Sequence, residues 1–155
     1  MLMLLNSDVV KSGFCWSEYE ITVDVGPRIR LPRSIIKILK DHGVNELWRF
    51  PDPTGPRMII CPGQNRLTYI KVARQHLPPS MDQSKAYRKY ICSGEPVLFR
   101  SHGRISITTA CNRDLQISAG EQAVIVGAGL WYELWRQGDW LGSNKNNTKG
   151  HGSIS

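Results

Sequence analysis

Two arginines, Arg28 and Arg104, stand at matching places in a repeated pattern. The segment Asp24-Val-Gly-Pro-Arg28-Ile-Arg-Leu-Pro32 returns as Arg100-Ser-His-Gly-Arg104-Ile-Ser-Ile-Thr108. In both copies a tight turn containing glycine (Gly26 or Gly103) delivers the arginine, and a strand with alternating apolar residues follows. A planar guanidinium can pair bidentately with guanine O6 and N7 or with a phosphate. The plainer alternative is that each arginine pairs with a neighbouring carboxylate and pins its own turn. Asp24 suits a supporting role, orienting Arg28 or the turn amides rather than touching a ligand. Two such basic loops in one chain suit a repetitive anionic partner, and nucleic acid is the leading candidate.

The surroundings reinforce the charge. Arg28, Arg30, Arg33, Lys37 and Lys40 follow one another with no acidic residue between them. Such a patch could position a polyanion through its phosphates without reading sequence. Arg30 ranks above the two lysines because it shares the strand face of Arg28, whereas Lys37 and Lys40 equally suit a solvated helix face. In the second copy Arg100 occupies the place of Asp24. Two arginines so close repel each other, and a phosphate between them converts that repulsion into attraction, so the second loop is expected to grip backbone more and read bases less. Across 155 residues, 20 Lys+Arg against 13 Asp+Glu leave a net charge of +7, which favours polyanions. Lys85, Arg88 and Lys89 read as solvent or subunit-contact residues.

The elements that must carry these loops are legible as patterns. In "EYEITVDV", Tyr19, Ile21 and Val23 alternate with polar neighbours, the signature of a half-buried strand. The turn Val25-Gly26-Pro27 reverses it, and "RIRL" returns with Ile29 and Leu31 opposite the arginines. Pro32 at the first-turn position opens a short helix with Ile35, Ile36 and Leu39 on its buried face, and Gly43 ends it. "ELWRF" and "RMIIC" form a hairpin around Pro-Asp-Pro-Thr-Gly. Two helices separated by Pro78-Pro79 then link to a second unit with the same order of elements. The expected fold is mixed α/β: two pseudo-symmetric swapped-hairpin β units joined by a linking helical pair. The expected boundaries are an N-terminal extension (1–13), a first unit (14–63), linking helices (64–94), a second unit (95–140) and a disordered tail (141–155), Gly/Asn/Ser-rich in composition.

Other chemistries find no support in the spacing. Cys15, Cys61, Cys92 and Cys111 form no CxxC pair, and the four histidines show no metal-ligand spacing, so four reduced thiols and no metal are expected. No spacing suggests a nucleophile triad, and Gly127-Ala-Gly129 is a hairpin turn rather than a dinucleotide loop. No enzyme activity, cofactor or small-molecule substrate is expected. The opening Met-Leu-Met-Leu-Leu is too short to span a bilayer and lacks the features of a signal peptide. Trp16, Trp48, Trp131, Tyr132, Trp135 and Trp140 are expected to pack in the core or between subunits rather than to stack on bases.

From about Phe14 to Trp140 the chain resembles the MraZ family, whose members carry two AbrB/SpoVT-type units. "SEYEITVD" is similar to the family's opening, so the residues before Phe14 read as an extension or a misplaced start. "AYRKYICSGEPV" and "HGRISIT…IVGAGLWYELWRQGDW" resemble the exit helix and the second unit. The resemblance implies a swapped-hairpin fold assembled into rings. It also implies a cytoplasmic, nucleoid-associated transcriptional regulator that binds short repeated boxes of double-stranded DNA near the promoter of its own division and cell-wall gene cluster. The family's hallmark is a DxxxR turn in each unit. The first unit has it as Asp24 and Arg28, with Pro27 where glycine is usual; the second has Gly103 and Arg104 but Arg100 in place of Asp. The competing readings are a protein-interaction module of AbrB type (antitoxin or scaffold) and a non-specific nucleoid binder. An enzyme on a related double-psi barrel would need a catalytic residue at a strand end, and none stands there.

Overall fold

The computed structural model describes residues 13–98 and 103–143. The fold is mixed α/β, with every strand pair antiparallel. In chain order the elements are β1 (Glu18–Thr22), β2 (Arg28–Arg30), α1 (Arg33–Asp41), β3 (Glu46–Pro51), β4 (Met58–Pro62), α2 (Arg66–Arg74), α3 (Gln83–Tyr87), β5 (Glu95–Leu98), β6 (Arg104–Ser106), α4 (Thr109–Leu115), β7 (Gln122–Gly127) and β8 (Tyr132–Arg136). A wider helical turn, Arg88–Cys92, extends α3, and residues 137–143 are helical. That last segment runs past the boundary drawn at residue 140, so residues 141–143 are helical rather than part of a structureless tail.

The two halves of the chain are interleaved rather than placed side by side. The large sheet has the order β1-β7-β8-β4-β3-β5, and β2 pairs with β6 in a separate two-stranded ribbon. Each strand of the first half therefore finds a partner in the second: β1 with β7, β5 with β3, β4 with β8. Exchanging the halves leaves the sheet order unchanged, which defines a pseudo-twofold running between β4 and β8 and between β2 and β6. The same shift along the chain carries Arg28 onto Arg104 and Glu46–Pro51 onto Gln122–Gly127.

Alternation along the strands builds two cores on opposite sheet faces. On one face, Ile29, Leu31, Ile35 and Leu39 from β2 and α1 meet Ile105, Ile107, Cys111 and Leu115 from β6 and α4, over Met58, Ile60, Ile125 and Leu134 of the sheet. On the other, Tyr69, Ala73, Ala86 and Tyr90 of the helical pair cover Phe50, Ile59 and Cys61. β4 is buried along its whole length because both its faces are covered. Helix α1 starts one residue later than its sequence suggests: Pro32 is its cap, and the Pro32 carbonyl accepts from the Ile36 N–H at 3.1 Å. Ile35 and Leu39 are buried, while Ile36 is half-buried. Trp131, Tyr132 and Trp135 lie in the interior as expected; Trp16 does not, being 43% exposed with its indole N–H donating to the Gly13 carbonyl. None of the four cysteines is disulfide-bonded, and Cys92 is the exposed member. No helix among the described residues is long and apolar enough to cross a membrane.

A polar cluster sits behind the sheet near the pseudo-twofold. The buried Asp52 carboxylate accepts from Arg57 Nε (2.9 Å) and from the Thr54 amide (2.8 Å) and hydroxyl (2.7 Å). The Arg57 guanidinium lies 4.0 Å over the Trp135 ring, and the Trp135 indole N–H donates to Glu133 Oε1 at 2.9 Å. Glu133 is fully buried, and its Oε2 has no partner among the described residues. Burial, with the nearby Asp52 charge adding to it, raises the Glu133 carboxyl from 4.5 to about 7, against the opposing pull of the Trp135 N–H and Arg57. A carboxyl raised on folding binds protons more tightly in the native state, so stability falls as pH rises from about 4.5 to 7 and levels off above that. Glu133→Gln removes this loss. The variant should exceed the parent by on the order of 2–3 kcal/mol at pH 8, with the gap closing towards pH 5, in urea unfolding at both pH values.

Candidate nucleic-acid interface

The ribbon of β2 and β6 carries the arginines. Its register pairs Arg28 with Ser106, Ile29 with Ile105 and Arg30 with Arg104. The two isoleucines point inward and are buried, so their neighbours face out by the period-2 rule. Arg28, Arg30 and Arg104 are accordingly exposed on the outer face. They line one open cleft of about 580 Å³ together with Ile21, Thr22, Asp24 and Val25.

The first loop holds Arg28 through the main chain. Asp24 and Arg28 exchange backbone hydrogen bonds of 2.7 and 3.1 Å, closing the turn Val25-Gly26-Pro27. Arg28 Nε donates to the Val25 carbonyl at 3.2 Å, which folds the side chain back over the turn. Gly26 is needed there for its φ of +106°, which side chains rarely adopt. Among the described residues the Asp24 carboxylate makes no hydrogen bond or ion pair, and its backbone closes the turn with Arg28.

Of the second loop the structure describes Gly103 and Arg104; Arg100 lies outside the described residues. Gly103 has φ +59°, its carbonyl accepts from the Leu31 amide at 2.9 Å, and a Cβ would fall 2.6 Å from Ile36 Cδ1. That close approach sets Gly103 directly against α1 of the first half. Arg33 is exposed at the start of α1 but does not line the cleft. Lys37 pairs with Asp41 at 2.9 Å on a solvated face, and Lys89, in the turn after α3, pairs with Asp114 of α4. Among the described residues no carboxylate pairs with Arg28, Arg30, Arg33 or Arg104, and Arg28 holds its own turn through the Val25 carbonyl instead.

One contributor was not visible in the sequence. Arg49 of β3 rises beneath the ribbon, and its Nη1 donates to both the Ser106 carbonyl (2.8 Å) and hydroxyl (2.7 Å). Its Nη2 meets Glu95 at 2.9 Å. Arg49 thus ties the ribbon to the main sheet. In "ELWRF" it reads as an outward polar position, and nothing local signals a partner 57 residues away.

The cleft presents a compact array of fork-shaped donors on an apolar base, with the Asp24 carboxylate and the Thr22 hydroxyl beside them, and no cluster of metal-ligating side chains stands among the described residues. Its chemistry is the pairing of oxyanions and of base edges rich in acceptors. The chain matches no protein-family model and no curated protein sequence. Arg49→Ala should leave the Ser106 carbonyl and Glu95 short of a donor. We expect a loss of about 1–3 kcal/mol in chemical unfolding, with Arg49→Lys recovering part of it.

Proposed function

We propose that this chain is a sequence-specific, double-stranded DNA-binding transcriptional regulator of MraZ type, made of two AbrB/SpoVT-like swapped hairpins. The observation that carries the reading is the outer face of the β2–β6 ribbon, where Arg28, Arg30 and Arg104 stand together, exposed and without carboxylate partners among the described residues. The cross-paired strands on either side of the pseudo-twofold support the swapped-hairpin part. Arg28 and Arg104 read bases or grip phosphates, Gly26 and Gly103 shape their turns, and Arg33 adds positive field beside them. Repeated boxes near the promoter of its own division and cell-wall gene cluster are the proposed target, and the nucleoid the proposed location.

Self-assembly is the second part. The helical pair on the far side of the sheet exposes Leu67 (74%), and its Tyr87 (36%) lines a groove with Arg74 and Arg88. The edge strand β1 exposes Glu18 and Glu20. A head-to-tail contact between these two unlike surfaces generates a ring when its rotation closes. A ring presents many weak arginine loops to neighbouring boxes at high effective concentration.

Binding to the DNA upstream of its own gene, compared with a scrambled fragment at two salt concentrations, tests the function. The upstream fragment should be preferred, with Arg28→Ala and Arg104→Ala each weakening that preference roughly ten- to a hundredfold. Binding that ignores sequence and vanishes with salt would instead mark a non-specific nucleoid binder. Leu67→Glu should lower the particle mass seen by light scattering; an unchanged mass would rule this contact out.

A further inference from the structure

The pseudo-twofold that relates the two halves of the ribbon is broken at one pair of positions. The shift that carries Arg28 onto Arg104 also carries Arg30 onto Ser106. One end of the ribbon therefore sets arginine against arginine (Arg30 and Arg104), and the other sets arginine against serine (Arg28 and Ser106). The hydrogen bonds locate these pairs further. The Leu31 amide donates to the Gly103 carbonyl and the Ile107 amide to the Pro27 carbonyl. By alternation Arg30 and Arg104 form a non-hydrogen-bonded pair, the class in which facing side chains approach most closely. Their Cβ atoms stand about 4.5–5.5 Å apart on the outer face.

Like charges directly opposite each other destabilise a strand pair. Here no carboxylate among the described residues relieves them. Both side chains line the same open cleft, over a floor fixed by buried Ile29 and Ile105. At the other end Ser106 is already engaged, its carbonyl and hydroxyl both accepting from Arg49. Arg49 is itself largely buried and paired with Glu95, so it adds no cation to the surface there.

We propose that Arg30 and Arg104 form a two-arginine clamp for a single phosphate group, present at one end of the ribbon and absent from the other. The inference rests on the DNA-binding reading for the identity of the ligand, but the clamp itself follows from the register. Two guanidinium forks offer ten N–H donors to an anion with only acceptor oxygens, and the anion cancels the repulsion that the empty pair carries. Arg28 at the unpaired end, with Nε held by Val25, has its terminal nitrogens left for a base edge. A surface that is nearly twofold could lie on a duplex in either direction. The clamp makes the two directions unequal, so each protomer engages its box with one polarity.

The test titrates the full chain with inorganic phosphate, following the Nε–H resonances of Arg30 and Arg104 by NMR, and measures the salt dependence of duplex binding in parallel. Arg30→Ser is expected to weaken phosphate binding at least fivefold and to reduce the log–log salt slope by about 1. Ser106→Arg, which supplies the missing partner, should raise that slope by about 1. Lys71→Ala on α2 makes the same change in charge on the far side of the sheet and should alter neither. Circular dichroism of each variant checks that the ribbon stays folded, and Arg30→Lys, which keeps the charge but loses the fork, should bind phosphate with intermediate affinity. Unchanged phosphate affinity in folded Arg30→Ser overturns the clamp, whatever the DNA result. Phosphate binding lost in Arg30→Ser, in a protein with no affinity for duplex, supports the clamp and overturns the DNA-binding reading. Phosphate that duplex fails to displace assigns the clamp to a free anion and overturns the polarity argument.

Discussion

Neither half of this chain can satisfy its own backbone. Among the described strands β1 and β5 are edges that pair only with the inner strands of the opposite half, and β6 is the one strand that β2 pairs with. A half taken alone would leave a row of unpaired amides and carbonyls along β1 and an exposed apolar underside on β2. Both are costly enough to keep such a fragment from folding. Cross-pairing solves the two problems together, and it places Ile29 against Ile105 at the centre of the ribbon. Because those two residues are buried, the orientation of their neighbours is fixed. The arginine face is thus a by-product of how the halves close on one another.

The ribbon is held by unlike contacts at its two ends. Gly103 packs against Ile36 and bonds Leu31 at one end; Arg49 bonds Ser106 at the other. In a symmetric pair of identical chains both ends would have to use the same device. Fusing the units in a single polypeptide lets each end specialise. The same freedom explains how the helical pair can cover only one half of the sheet's back, while Trp135 and Trp140 pack against Val124 and Val126 behind the other.

Much of this was written locally enough to read from residue types. Period-2 alternation in Glu18–Thr22 and Arg28–Arg30, the proline and glycine at the ends of α1, and the matched positions of Arg28 and Arg104 each report on a few neighbouring residues. What the sequence could not show involves partners far apart along the chain. The contact of Arg49 with Ser106, the closeness of Arg30 to Arg104, and the burial of Glu133 all depend on which strands meet. A glutamate in "WYELW" looks like the polar face of an ordinary strand until both faces of β8 are found covered.

Interleaving also has a consequence in time. Thr22 of β1 pairs with Gln122 of β7, 100 residues further along. At translation rates of about 5–20 residues per second, β1 emerges from the ribosome roughly 5–20 s before the strand it needs. During that interval its half-apolar edge and the underside of β2 are without their native cover. Folding must wait for nearly the whole chain, and the loop-closure entropy of so distant a pairing slows it further. The nascent first half is therefore the species most exposed to mispairing with other copies of itself. The topology that gives the mature protein its paired arginine face makes its synthesis the stage at which it is most open to aggregation.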